Sequence, residues 1–293
     1  MTAGLLSSVL AVIFALLGLM RGEKAMSRIV MDMAPDSFDD QYRGCCEHVM
    51  EELDRGDYFQ KELGNNKNYF SIWQKAKLVW AKMPMALLKE MQEDHAVALL
   101  AYTMNTSLHS DLNWTISRAG RSPEHYRHNF HFKYLHFYLT TAIQLVRKWK
   151  SDTTGRKCYL VYRGVKGLYF EAEVGTQVRF GRFTSTSLLQ KEAQRFGNET
   201  AFTLKTCLGT TVQRFSHYFS EREVLVPPYE IFLVRNFSRT PNGNRIYLLS
   251  VGNYSQYNCQ LLKASGGKNC IHLPPFAAFL SCVISAFFYS TSQ

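Results

Sequence analysis

Several features that would place this chain at once are missing. Its seven cysteines include no C-x-x-C pair, so a zinc site has no support, and no metal is implied. No G-x-G-x-x-G follows a strand-like run, which argues against a Rossmann-type nucleotide site. There is no internal repeat and no low-complexity tract, which excludes solenoids and disordered linkers. Acidic residues are in deficit, 24 against 34 Lys and Arg, for a net charge of +10. Yet the cations are scattered and form no dense basic run. What is present is ordinary for a folded protein: 293 residues, enough for one large domain or two small ones, with 46% apolar content and 14% aromatics.

The two ends do not read as fold. Leu5 to Met20 is apolar and uncharged, then Arg21-Gly22-Glu23-Lys24 follows. The run is too short for a comfortable membrane span and suits a secretory signal, expected to cover residues 1–22. A second apolar run, Phe276 to Tyr289, nearly closes the chain, preceded by the small residues Ser265-Gly266-Gly267 and a short spacer. That order fits a GPI-attachment signal over residues 265–293, removed on processing. A short transmembrane anchor is the alternative, but no basic flank follows the run. Sequons at Asn105, Asn113, Asn198, Asn236 and Asn253 are candidate glycan sites in an exported chain. Export makes disulfides the default for the cysteines and nucleic acid a poor partner. The phosphates of a dinucleotide, or the anionic cell surface, suit the charge better.

Between these ends lies one expected domain, residues 23–264, with helices first and strands second. The first half, about 42–150, carries helical periodicity. Phe70, Trp73, Lys77 and Trp80 fall near one stripe, and Met85 to Tyr102 forms another through Leu87, Leu88, Met91, His95 and Leu99. Leu112 to Ala119 reads as a short helix ended by Gly120. His131 to Trp149 reads as a long one. His95, His131 and His136 lie on such faces without metal-ligand spacing and are read as structural. A polar linker, residues 151–157, precedes the strand-rich half, about 157–262. Short strands are expected at 158–163, 177–183, 201–207, 211–215, 224–226, 231–237 and 245–251, with one helix at 188–196. The helix-then-strand order predicts α+β and argues against a doubly wound fold.

Three features of the strand half carry chemistry. Arg163 ends an apolar strand at Tyr162-Arg163-Gly164. A hydroxyl cluster follows at Thr184-Ser185-Thr186-Ser187, where Ser187 is placed to cap the helix from Leu188. Then comes Glu221-Arg222-Glu223, ahead of an apolar run. Alternation along a strand would put Glu221 and Glu223 on one face, where two like charges raise each other's cost of ionisation. Such a pair suits carboxylate chemistry or the grip of a cation. Each feature alone is weak; together, in this order, they are specific.

The trio resembles the R–S–E-x-E signature of the ecto-ADP-ribosyltransferases, the arginine-specific mono-ADP-ribosyltransferases of vertebrates. The likeness extends over most of the mature chain, including Ala34 to Cys45, Phe132 to Leu139, Arg195-Phe196-Gly197-Asn198 and Glu221 to Pro228. It implies a β-sandwich-like catalytic core, disulfides Cys45–Cys259 and Cys158–Cys207, and NAD as substrate. Cys46 departs from the pattern, with Cys270 as a possible partner. By the resemblance, Arg163 holds phosphate, Ser185 supports the ribose or positions Glu223, and Glu223 stabilises an oxocarbenium-like state. Glu221 grips an acceptor guanidinium, otherwise a poor nucleophile because its pKa is so high. Tyr102, Arg182 and Ser216 are further candidates for NAD contact. Asn113 is ambiguous, since a glycan there is awkward if its helix lines the pocket. The expected activity is transfer of ADP-ribose from NAD to arginine on extracellular or membrane proteins, by an enzyme held at the cell surface. The rivals are an NAD glycohydrolase on the same site, a non-catalytic surface interaction module, and a basic anion-binding secreted protein.

Overall fold

Nine helices and ten strands are described in the computed structural model, over residues 27–84, 86–104, 106–216 and 219–264. The signal and attachment segments lie outside these residues, as do Cys270 and the Asn105 sequon. Strand β1 (Ser27–Val30) leads into helices α1 (Cys46–Arg55), α2 (Tyr58–Asn65), α3 (Lys67–Trp80), α4 (Glu93–Thr103), α5 (Leu108–Ala119), α6 (Pro123–Asn129) and α7 (Lys133–Thr154). Then follow β2 (Tyr159–Val165), β3 (Leu168–Glu171), β4 (Gln177–Val178), β5 (Thr184–Ser187), helix α8 (Gln190–Gln194), β6 (Thr200–Thr206), β7 (Thr210–Thr211), β8 (Glu223–Val226), β9 (Glu230–Thr240), β10 (Gly243–Asn253) and α9 (Gln260–Ala264). The α+β expectation holds.

The helical half is built around α4. From His95 to Tyr102 every residue of α4 is buried, because Ala96, Val97, Ala98, Leu99, Leu100 and Ala101 leave it apolar on all sides. It therefore has no single stripe, and it begins at Glu93, later than the sequence pattern suggested. The start is set by a reciprocal cap in which the Gln92 N–H donates to His95 Nδ1 at 3.0 Å. In α3 the buried face is Tyr69, Ile72, Trp73, Ala76 and Trp80. Phe70 is 49% exposed and Lys77 is exposed, so both fall off the expected stripe. Helix α7 starts at Lys133, not His131, because the Glu62 carboxylate reaches over from α2 to accept the N–H groups of Lys133 (2.5 Å) and Tyr134 (3.3 Å). It also runs on through the first part of the expected linker, ending at Gly155 in the left-handed conformation (φ 65°). His131 is exposed, while His136 is buried and bonded through Nδ1 to the Tyr42 hydroxyl at 2.7 Å.

The strands form a two-stranded parallel pair, β1 with β3, and a mixed sheet in the order β4-β9-β10-β6-β2-β5-β8-β7. Only β10 and β6 run parallel in the large sheet. Alternation sends Val161, Phe202, Leu204, Phe232, Val234, Ile246 and Leu248 to its core face, while Leu160 and Tyr247 stand outside. The expected strand 177–183 shrinks to two residues, and 211–215 ends as a 3-10 turn at Gln213–Phe215. Thr184 to Ser187 is a strand and not a loop, and α8 covers only part of 188–196.

The acidic lead-in is a buried clamp. Asp39 pairs with Arg179 at 2.6 Å, both essentially inaccessible, and accepts the Gln256 N–H at 2.9 Å. Asp40 accepts from the backbone of Tyr42 (2.8 Å), Cys259 (3.0 Å) and Gln260 (2.8 Å), so it also caps α9. The disulfides Cys45–Cys259 and Cys158–Cys207 are both formed, as expected. The first spans 214 residues of sequence. In the chain-entropy account a loop that long is worth about 5 kcal/mol. The Cys45→Ser/Cys259→Ser double variant is therefore expected to lose about 2–5 kcal/mol of unfolding free energy in a urea titration. An unchanged midpoint would show that the clamp alone holds the chain ends.

Candidate active site

Strands β2 and β5 are ladder partners at one pair only, Tyr162 with Ser187. Past it, β2 pairs with β6 and β5 with β8. The candidate residues collect at this seam. Arg163 lies within β2, not at its end, and donates from Nη1 to the Ser185 carbonyl at 2.7 Å. Gly164 does not end the strand. It lets α8 approach, since a Cβ there would meet the Ala193 and Gly197 carbonyl oxygens at 2.3 Å.

Glu223 opens β8 opposite Ser187 and is only 6% exposed. Burial pushes its pKa up to about 7. The Ser185 hydroxyl and Arg163 pull it down, and the charge of Glu221 pushes it up. The sign follows from the raised value. Between the unfolded carboxylate range and about 7 the fold holds a proton that the unfolded chain releases. Stability from this group is therefore present below that window and lost as pH rises through it, by about 3 kcal/mol in all.

Glu221 is not on the strand. It closes a 3-10 turn, Phe219–Glu221, and Arg222 then takes a left-handed backbone (φ 45°) before β8 begins. The alternation expected for Glu221 and Glu223 is therefore replaced by a kink, at a cost of about 1–3 kcal/mol for a residue with a Cβ. The kink is held from β5: the Ser187 hydroxyl donates to the Glu221 carbonyl at 2.6 Å, and the Leu188 N–H to the Arg222 carbonyl at 3.2 Å. Ser187 also accepts the Leu189 N–H at 2.9 Å, so it organises this turn instead of capping α8. Glu221 is partly exposed, with its pKa raised by burial and then by Glu192, and lowered by Arg195.

Tyr102 reaches the seam from the end of α4. Its hydroxyl donates to the Phe183 carbonyl at 2.9 Å and accepts from Asn113 Nδ2 at 3.0 Å. Burial raises its pKa to about 12, and its neighbours there include Asn113, Glu223, Arg163 and Ser185. The Ser185 hydroxyl lowers the pKa of both Tyr102 and Glu223. Arg182 is exposed and interacts with Tyr102, Arg118 and Arg163. Ser216 is buried where the Gln213–Phe215 turn ends, on the segment leading to Glu221.

Two neighbours escaped the sequence reading. His109 packs edge-on to Tyr102 at 6.1 Å, and its pKa is lowered by burial and by Arg163. Arg118 adds a third guanidinium beside Arg163 and Arg182, lying over Trp114 at 4.1 Å. Both sit on α5, a separate helix from the one that carries Tyr102, so no spacing in the sequence links them to it. The described residues hold no group of three or more potential metal ligands.

At this seam a buried carboxylate with a raised pKa thus stands beside Arg163 and Ser185. Comparison with known proteins gives the family. Residues 31–256 match the profile of the family NAD:arginine ADP-ribosyltransferase. The chain is 49% identical over 292 residues to human (Homo sapiens) ecto-ADP-ribosyltransferase 4, covering 99% of this chain and 92% of that one. It is 44% identical over 245 residues to mouse (Mus musculus) GPI-linked NAD(P)+–arginine ADP-ribosyltransferase 1, covering 80% and 73%. Its fold resembles the crystal structure of the eucaryotic mono-ADP-ribosyltransferase ART2.2, with a TM-score of 0.66 and 34% identity over 79% of this chain and 98% of that one. A mutant of that enzyme solved in complex with NAD matches with a TM-score of 0.67. The chain belongs to the NAD:arginine ADP-ribosyltransferase family.

Asn113 carries a sequon, yet its Nδ2 also donates to the Phe183 carbonyl at 3.0 Å, and its Oδ1 is buried without a partner among the described residues. A glycan would grow from the same nitrogen that closes this seam. Glycopeptide mapping of the secreted protein is expected to find Asn113 unmodified, and Thr115→Val, which deletes the sequon, to leave the glycan mass unchanged. Loss of one glycan in that variant would overturn the assignment.

Proposed function

We propose that this protein transfers ADP-ribose from NAD to the guanidinium of arginine side chains, with Glu223 and Glu221 dividing the work. The observation that carries the reading is Glu223, buried between Ser185 and Arg163 with its pKa raised to about 7, while Glu221 stays partly exposed at the rim. Arg163, Arg182 and Arg118 supply the positive field that a pyrophosphate requires, and Arg163 is the planar fork best placed for it. The Ser185 hydroxyl orients Glu223 and supports the ribose. Tyr102 walls the nucleotide side.

The bond between the ribose C1′ and nicotinamide breaks, and nicotinamide leaves with the electron pair. Ionised Glu223, fixed before the reaction, stabilises the oxocarbenium-like ribose and binds its hydroxyl. An arginine nitrogen then attacks C1′, and its proton passes to Glu221 or, through it, to water. Glu221 also holds the incoming cation. The acceptors on this reading are extracellular or membrane proteins. The names of the ecto- and GPI-linked relatives support a cell-surface location through a GPI anchor, added as the 265–293 signal is removed. No helix of the described residues is long and apolar enough to cross a membrane.

The test uses the full protein from a secreting host, labelled NAD and agmatine as acceptor. Wild type is expected to label agmatine. Glu223→Gln is expected to lose about 10²–10³-fold or more in kcat, the scale for removing a preorganised electrostatic group. Glu221→Gln is expected to lose transfer while retaining NAD hydrolysis. Nicotinamide release by wild type without labelled agmatine would make the protein a glycohydrolase, and no NAD consumption by folded protein would sink the enzymatic reading.

Because Glu223 must be ionised, kcat/KM for NAD is expected to rise with pH and level off above about 7. The profile of kcat is expected to shift to lower pH, since the cationic nicotinamide ring of bound NAD favours the carboxylate. A flat profile across pH 5–8 would contradict the assignment of the base form to Glu223.

A further inference from the structure

A cavity of about 340 Å³ lies between the last turns of α7, the start of β2 and the β7 segment. It shares no residue with the seam that holds Tyr102, Arg163, Ser185 and Glu223. Its floor is apolar, made by Val146, Tyr159 and Phe215. Its rim carries Lys150, Arg156 and Arg214, and none of its described lining residues is acidic. Trp149 stands among the cations, with Lys150 Nζ 4.8 Å and the Arg214 guanidinium 5.1 Å from its ring centroid. Arg156 lies 5.6 Å over Tyr159.

Two facts make this more than a basic surface. First, none of the three cations forms an ion pair among the described residues. They rest on aromatic faces, which leaves their N–H groups able to bind an anion. Second, the end of α7 does not supply that anion. The Trp149 and Lys150 carbonyls take the Thr153 and Thr154 hydroxyls, both at 2.7 Å, and the Ser151 carbonyl takes the Gly155 N–H at 2.9 Å. An apolar floor with converging cations is the ordinary make-up of a small-molecule site.

We propose that this cavity binds a small anion with a flat apolar body, a phosphate or sulfate ester of an aromatic alcohol being the chemistry that fits it. The ring lies on the floor beside Trp149 and the ester oxygens face Lys150, Arg156 and Arg214. The cavity walls also hold the acceptor loop. Thr211 pairs with Val224, the Val212 N–H donates to the Glu223 carbonyl at 3.1 Å, and the backbone of wall residue Leu188 binds Arg222. A bound anion therefore stiffens the segment that carries Glu221.

The experiment is calorimetric titration of the full protein with 1-naphthyl phosphate, 1-naphthyl sulfate and inorganic phosphate. One-to-one binding of an ester is expected, weakening with salt, and the tighter ester identifies the anionic group. Lys150→Gln/Arg214→Gln is expected to weaken it by about tenfold for each cation removed, whereas Arg163→Gln, in the other site, leaves it unchanged. Arg156→Gln alone, on the exposed rim, is expected to cost about tenfold and guards against misfolding of the double variant. The proposal is overturned by the absence of saturable binding, by an affinity indifferent to the rim cations, by a loss in Arg163→Gln, or by inorganic phosphate binding as tightly as the esters.

Discussion

The buried pair Asp39–Arg179 is the constraint on which the rest of this structure hangs. Two ions out of water are costly, and they are tolerated only where every oxygen and N–H finds a partner. Here nearly all do. Arg179 spends three more donors on the carbonyls of Met33, Ala34 and Tyr254, and Asp39 also takes backbone N–H groups of Gln256 and Tyr257. Three stretches far apart in the chain, near residues 33, 179 and 255, are thereby fixed to one another. Segment 179–183 is thus pinned at its first residue, and the Ser37 hydroxyl holds it again at the Gly181 carbonyl. That same segment presents Arg182 and the Phe183 carbonyl to the candidate site.

The site itself exploits a weakness in the sheet. A continuous β2–β5 ladder would bury Arg163 and Ser185 in backbone pairing; one bridge leaves room for side chains between the halves. Each half then brings a different electrostatic character. The helical half and β2 contribute cations and a phenol, and β8 with the turn before it contributes carboxylates. Charge separation of this kind suits a substrate with anionic phosphates at one end and a cationic ring at the other.

Much of this was legible in the sequence because it depended on local pattern. Arg163, Ser185 and the Glu221–Glu223 pair stand in a recognisable order, and helices preceding strands announced α+β. What was not legible depended on contacts between distant residues. Thr184 to Ser187 is all hydroxyl and lies outside the strands expected from pattern; it forms one because its polar side chains are satisfied inside, as when the Thr186 hydroxyl donates to the Val224 carbonyl at 2.6 Å. The start of α7 is set by Glu62 from another helix. Alternation failed at Glu221 because Arg222 adopts a backbone that no periodicity announces. Nothing local shows that the partners of Asp39 and Asp40 lie some 140 and 220 residues away.

The Cys45–Cys259 bond, considered mechanically, makes the fold a closed ring with two short tails. A pull on the carboxyl end loads α9 first and reaches the covalent bond at residue 259 before it reaches β10. There the load divides between the chain leading back to β10 and the start of α1. Peeling from that end therefore meets a branch point a few residues in, and β10 takes only part of the load. A pull on the carboxyl end is shared between the helical half and the strand half instead of unzipping the sheet from its last strand.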